Sequence, residues 1–310
     1  MMHEALSTLA KENRPFLFYT DFTGSKIHCY TLDELSKEDI EYQFSHPYTE
    51  HTERIKKYPL DFKIYQEKFN KIIDYIKSGD TYLLNLTQAT PIKTTLSLKE
   101  IFKRSNAPYK LRIKDQFVCF SPERFIRIEA NKISTYPMKG TIDAAIPDAS
   151  SKIIHDEKEM AEHVMAVDLL RNDLGIVATN INVEKFRYID TISAGEKQLL
   201  QVSSKISGTL QEDWRENLGS IIKALLPAGS ISGTPKRRTV EIIQEIEGYD
   251  RDYFTGIFGV YDGQSLETAV MIRFIENKEG EYVYKSGGGI TLESSAELEY
   301  QELIDKIYIP

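Results

Sequence analysis

Cysteine is nearly absent. The 310 residues hold two, Cys29 and Cys119, too few and too far apart for a disulfide framework or a cysteine-based zinc site. A basic excess is missing too: Lys and Arg number 39 against 47 Asp and Glu, a net charge of −8. That balance excludes a nucleic-acid binder, which needs basic clusters against phosphate. No apolar run reaches the roughly 18–20 residues that span a bilayer. The first sixteen residues carry Glu4 and Glu12 and no uninterrupted apolar stretch, so they do not read as a signal peptide. Neither a fixed-period repeat nor a low-complexity tract occurs. What is present, 41% hydrophobic and 28% charged residues, is the balance of a core-forming globular protein, expected in the cytoplasm.

Patterning predicts short strands around a turn over 14–35, a polar linking stretch over 36–60, and a helix with Ile64, Tyr65, Phe69, Ile72, Ile73 and Ile76 at helical spacing, stopped by Gly79. A strand follows at 81–87. Strands are expected at 116–120, 123–129 and 132–136, then at 183–189, 199–207, 255–261, 266–275 and 281–286. Helices are expected at 156–174, 215–226, 235–247 and 294–307. Asp156 with Glu159 three residues on reads as a capping box, and Gly175 as the end of that helix. Without regular βαβ alternation, the fold class is α+β: antiparallel or mixed sheets packed as a sandwich with helices outside. No Pro/Gly/Ser-rich linker divides the chain, so residues 1–60 are taken as a short N-terminal segment packed on one main domain, 61–310.

Two helices each carry a pair of glutamates. In the last, Tyr300, Leu303, Ile304 and Ile307 form an apolar stripe, with Glu299, Glu302 and Lys306 on a neighbouring one. The helix at 156–174 repeats the design, with Met160, Val164 and Val167 beside Glu159 and Glu162. An acidic pair on a helix is ordinarily a solvated surface. Both pairs border an apolar stripe, however, so both can instead line a cleft. Four carboxylates converging there need a cation, and Mg²⁺ suits such an oxygen-rich set.

Three further stretches could hold an anion or act on it. Ser286 to Ile290 contains Gly287, Gly288 and Gly289, which read either as a tight turn or as bare backbone that can approach an anion. Arg273 falls in the 266–275 strand on a face with Ala269, Met271 and Ile275, where it needs an acceptor such as a carboxylate. Pro227 to Lys236 is a loop leading to a helix, with Thr234 as N-cap and Pro235 at the first helical position; it fails the GxxxxGK[ST] pattern and is not a phosphate loop. Lys139 lies in a bend after Tyr136, Pro137 and Met138. It is either a surface residue or, if buried there, an amine with its pKa lowered from about 10.4 and usable as a nucleophile. A hairpin could bring Glu123 close to it.

The sequence resembles the chorismate-utilising enzymes over residues 60–310. The resemblance is carried by Gly79-Asp-Thr-Tyr-Leu-Leu-Asn-Leu, Ser121-Pro-Glu-Arg-Phe, Pro137-Met-Lys-Gly-Thr, Ala161-Glu-His through Val167-Asp-Leu-Leu-Arg-Asn-Asp, the Pro227–Lys236 stretch, Gly287-Gly-Gly-Ile and Glu299-Tyr-Gln-Glu. Within that family a lysine at position 139 is similar to the synthase components of aminodeoxychorismate synthases, where anthranilate synthases typically carry Ala. The resemblance implies that Lys139 adds to chorismate and that Glu123 is the general acid/base. It implies Glu162 and Glu302 as Mg²⁺ ligands, with Glu159 and Glu299 in water-mediated support. Arg273, Gly287, Gly288, Gly289, Thr141 and Lys306 are the implied substrate-binding groups. It further implies ammonia supplied by a glutamine amidotransferase subunit, since neither cysteine sits in a Gly-x-Cys-x-Gly nucleophile turn. The family usually has a histidine where this chain has Leu200. Anthranilate or isochorismate synthesis, or an inactive chorismate-binding subunit, are the alternatives.

Overall fold

The computed structural model describes residues 2–44, 55–194 and 197–310. The chain opens with α1 (Met2–Lys11), β1 (Phe16–Thr20) and β2 (Ile27–Thr31), the last two being the strand pair expected over 14–35. β3 (Ile40–Phe44) and β4 (Lys56–Lys57) occupy the two ends of the stretch read as a linker; its middle, 45–54, lies outside the described residues. α2 (Phe62–Lys77) starts where the Asp61 carboxylate accepts the Lys63 N–H at 2.9 Å. It buries Tyr65, Phe69 and Ile72, one per turn. Gly79, at φ +81°, lies just past its cap.

Next come β5 (Leu83–Lys93), α3 (Leu98–Arg104), β6 (Tyr109–Ile113), β7 (Phe117–Ser121), β8 (Arg124–Glu129), β9 (Lys132–Thr135) and β10 (Met138–Asp143). The patterning did not anticipate α3, although a Ser97–Glu100 capping box opens it. α4 (Ala149–His155) leads into α5 (Glu157–Val177), where the Asp156 carboxylate caps the Glu159 N–H at 2.9 Å. Gly175 does not end this helix, which runs two residues further. A long hairpin of β11 (Thr179–Ala194) and β12 (Lys197–Thr209) follows, then α6 (Leu218–Leu225), α7 (Gly229–Ser232), β13 (Gly233–Thr234) and α8 (Lys236–Glu247). Thr234 is not an N-cap: it pairs with Leu83 as a strand residue, and Pro235 is the cap. β14 (Ile257–Tyr261), β15 (Leu266–Val270), β16 (Phe274–Lys278), β17 (Glu281–Ile290) and α9 (Ala296–Asp305) complete the chain.

The described strands pair antiparallel throughout, in two sheets. One runs β10-β12-β9-β8-β15-β14-β1-β2, with β11 on β12; the other runs β13-β5-β17-β16-β7-β6-β3, with β4 on β5. Alternation explains the layering. Leu17 and Tyr19 of β1 pack with Leu111, Phe117 and Phe274 between the sheets, while Phe16 and Phe18 face a second core of α1, α2, α5, α6 and α8. On the far side of the second sheet, Val118, Phe120 and Ile275 pack on Leu98, Ile101 and Phe102 of α3. This is the expected α+β sandwich with helices outside. None of its described helices is long and apolar enough to cross a membrane.

Three expectations change in ways that shape the site. The 266–275 segment is two strands in different sheets, with Met271–Arg273 crossing between them and Arg273 at φ +50°. A left-handed residue breaks the alternation, so Arg273 shares no strand face with Ala269. Gly287–Gly289 do not form a turn. They lie inside β17, opposite Thr87, Leu86 and Asn85 of β5; a Cβ on Gly287 would come within 2.3 Å of the Leu86 carbonyl oxygen. On α5, Met160 and Val164 are exposed, and the buried face is His163, Val167, Leu170 and Leu174.

Candidate active site

A cavity of about 570 Å³ lies where β5, β10, β12, β17, α5, α7 and α9 meet the Arg273 crossover, a size suited to a small-molecule ligand. Glu123, Lys139, Thr141, Glu159, Glu162, Arg273, Gly287, Gly288, Gly289, Glu302 and Lys306 all line it. Glu299 stands one step behind: a Cβ on Gly288 would lie 3.2 Å from its Oε2 and 3.6 Å from Glu302 Oε1. The two acidic pairs, about 140 positions apart in sequence, thus border one space.

Lys139 enters from β10, not from a bend after a strand. Its side chain is 33% exposed, so the burial considered for it is incomplete, and its Nζ lies 3.3 Å from Glu162 Oε2. Across the cavity, Lys306 caps α9, pairs with Glu302 at 2.6 Å and donates to the Gly287 carbonyl at 2.9 Å. Each ammonium therefore sits on one carboxylate of a glutamate pair. The remaining member of each pair has its pKa raised above the usual 4.5. Burial is the leading cause for both Glu159 and Glu299, and the neighbouring Glu162 or Glu302 adds to it. Ser294 opposes the shift by donating its hydroxyl to Glu299 at 2.8 Å.

Glu123 follows the Ser121–Pro122 corner. Its N–H donates to Ser121 Oγ at 3.1 Å and its carbonyl accepts the Val270 N–H at 3.2 Å. Burial raises its pKa, against the pull of the Ser230 hydroxyl and the Lys139 and Lys306 charges. Burial thus shifts this carboxyl toward its protonated form, the direction a general acid requires. Arg273 lies over the Tyr308 ring, 5.1 Å from its centroid, and faces the same space.

Several functional positions went unnoticed in the sequence. Gln201, paired with Thr141 in register, lines the cavity where Leu200 does not. Alternation along β12 turns the two residues to opposite faces. Asn85, Ser230 and Thr255 also line the space, and one buried ion pair organises their segments. Arg251 meets Glu247 at 2.6 Å and donates to the carbonyls of Asn85 (2.7 Å) and Ile231 (3.0 Å) and to Thr255 Oγ (3.3 Å). Only the Pro227–Lys236 and Gly79–Leu86 motifs pointed to these segments.

For a magnesium ion, the donor set is of the right kind: carboxylate oxygens from two helices, with a glycine opposite one pair. Among the described residues no three Asp, Glu, His or Cys side chains close around a single point. The glutamates are thus two separate pairs, one from each helix, and form no closed protein cage.

The cavity of this antiparallel two-sheet α+β protein is lined by an amine, a carboxyl of raised pKa, an arginine and bare strand backbone, groups suited to holding a small anion. Residues 4–309 match the chorismate binding enzyme family, and the chain belongs to it. It is 45% identical over 316 aligned residues to a Haemophilus influenzae protein named Uncharacterized PabA-like protein, covering 99% of this chain and 95% of that one. It is 32% identical to the Salmonella typhimurium aminodeoxychorismate synthase component 1, over 78% of this chain and 56% of that protein. The crystal structure of anthranilate synthase component I from Streptococcus pneumoniae superposes with a TM-score of 0.70 at 26% identity, covering 82% of this chain and 59% of that one.

Proposed function

We propose that this chain is the synthase component of an aminodeoxychorismate synthase, converting chorismate and ammonia to 4-amino-4-deoxychorismate on the way to p-aminobenzoate and folate. The observation that carries the reading is Lys139. A primary amine lies at the cavity wall, facing the Gly289 backbone, where a Cβ on that glycine would be 3.9 Å from Nζ. By the family resemblance, anthranilate and isochorismate synthases lack a lysine at this position.

In this reading Arg273, Thr141, Lys306 and the Gly287–Gly289 backbone bind the two substrate carboxylates. Lys139 Nζ, as the free amine, bonds to C2 of chorismate as the two ring double bonds shift and the C4 hydroxyl departs, taking the Glu123 proton to leave as water; the new secondary ammonium then gives a proton back to the Glu123 carboxylate. Ammonia then bonds to C4, the electrons shift back, and the C2–N bond breaks, a proton passing from the incoming nitrogen to the departing lysine amine. The net exchange is one ammonia for one water. Magnesium would be held by Glu162 and Glu302, with Glu159 and Glu299 behind, and would supply positive charge against the substrate carboxylates. A glutamine amidotransferase subunit would supply the ammonia. Incubating the purified chain with chorismate, magnesium and ammonium and identifying the product by mass tests the reading: aminodeoxychorismate is expected, and anthranilate or isochorismate would overturn it.

Magnesium also has a stability signature. Because Glu159 and Glu299 have raised pKa values, these two groups hold more protons in the folded chain than in the unfolded one above pH 4.5. Their contribution is intact below 4.5 and is lost as pH rises through the raised values. A cation bound to the ionised carboxylates removes that loss. Millimolar magnesium is therefore expected to raise the melting temperature near neutral pH and to have little effect near pH 4.5. Glu302→Gln should shrink the shift, and an equal shift in that variant would remove Glu302 from the ligand set.

A further inference from the structure

β10 does not run evenly beside β12. Their register breaks between Met138↔Ser203 and Thr141↔Gln201, so Lys139 and Gly140 bulge from the ladder, with Gly140 at φ +85°. A bulge re-aims a side chain, and this one turns the Lys139 amine into the cavity. It also sets Lys139 and Gly140 together against Val202, and α5 packs against the bulged strand. His163, the residue after the Glu162 that holds the Lys139 amine, is fully buried beneath the bulge. Ser204 Oγ accepts the Arg187 N–H at 2.9 Å and shares a second hydrogen bond with His163 Nε2 at 2.7 Å. With the hydroxyl as donor in that second bond, the imidazole carries its hydrogen on Nδ1. That nitrogen is buried without a hydrogen bond of ordinary geometry, and the group it faces is the Lys139 backbone. Ser204 also donates its N–H to the Pro137 carbonyl at 2.9 Å. On the other edge of β12, β11 slips register between Lys185 and Tyr188, and Arg187 within that slip sits at φ +49°. One serine thus joins two bulges and the imidazole.

We propose that His163, oriented by Ser204, is a positioning residue that supports the β10 bulge through the Lys139 backbone and so keeps the amine aimed at the substrate; this rests on the reading of Lys139 as nucleophile. An orphaned, fully buried nitrogen is costly to keep in a core, and an apolar side chain would fill the same space without that cost. His163 does not line the cavity, so its removal should act on turnover and spare binding.

The test compares His163→Leu, His163→Asn and Ser204→Ala with the parent chain in the ammonium-dependent conversion of chorismate, following the melting temperature of each. His163→Leu is expected to lower kcat on the order of 10- to 100-fold, the cost of an amine displaced by an ångström, while KM for chorismate stays within about twofold. His163→Asn, which keeps a donor near the Nδ1 position, should recover most of the loss. Ser204→Ala, which frees the ring to rotate, should fall between them, and it decides the matter if His163→Leu does not fold. Parental kcat in both His163→Leu and Ser204→Ala overturns the proposal. So does a joint rise in KM and fall in melting temperature that Asn fails to rescue. Lys139→Ala run alongside separates the two readings: if it turns over normally, the nucleophile itself is wrong, whereas a dead Lys139→Ala with an indifferent His163→Leu removes His163 alone.

Discussion

Lys139→Ala is expected to slow the conversion of chorismate to aminodeoxychorismate by on the order of 10²–10⁴, the range lost when a group that bonds or transfers a proton in the transition state is removed. The loss is one of chemistry and not of fold. Lys139 contributes a partly exposed ion pair to Glu162 at 3.3 Å, and pairs of that kind are worth about 0–1 kcal/mol. KM for chorismate should change little, because Arg273 and the β17 backbone remain in place. Intact-mass measurement gives a second readout. The parent chain held with chorismate and magnesium but no ammonia should gain the mass of chorismate less water, and the variant should not. A variant that turns over at the parental rate would refute covalent participation, leaving simple ammonia addition and the anthranilate-type chemistry in its place.

Glu123→Gln should cost on the order of 10²–10⁴ in kcat, the usual contribution of a positioned acid. Its effect has a pH signature. Burial raises the Glu123 pKa, so the carboxyl is protonated below that raised value and loses its proton as pH climbs through it. If it gives a proton to the departing C4 hydroxyl, kcat at constant free-ammonia concentration must fall over that climb, and Gln must abolish the limb. Ser230→Ala removes a hydroxyl that favours the ionised form, so it should move the limb to higher pH. A limb that persists unchanged in Glu123→Gln would assign the proton to another group.

Much of the architecture could be read in advance because periodicity reports burial directly. α2 and the α9 stripe through Leu303 came from helical spacing, and Asp156 came from capping chemistry. What could not be read depended on chain-to-chain contact. Nothing local says that the strand through residue 270 leaves one sheet and that Phe274 enters another, yet that crossover places Arg273. Three successive glycines look like a turn until β5 lies beside them at a distance no side chain permits. α5 misled for a different reason: Met160 and Val164 fit a helical stripe but stay in solvent, while the inward face is led by a histidine. The site residues were legible mainly through the family resemblance, and geometry then brought them to one cavity. Gln201 carried no signal of its own, and Ser230 and His163 only that of the motifs they stand in, since each gains its meaning from a neighbour far away in the chain.

The Glu247–Arg251 pair has a mechanical corollary. One guanidinium fastens strand, short helix and loop segments, the furthest of them 166 positions from it in sequence. That part of the cavity wall is tied together at one side chain, while the walls from α5, β10, β12 and α9 take no bond from it. Truncating Arg251 should therefore loosen those three segments together.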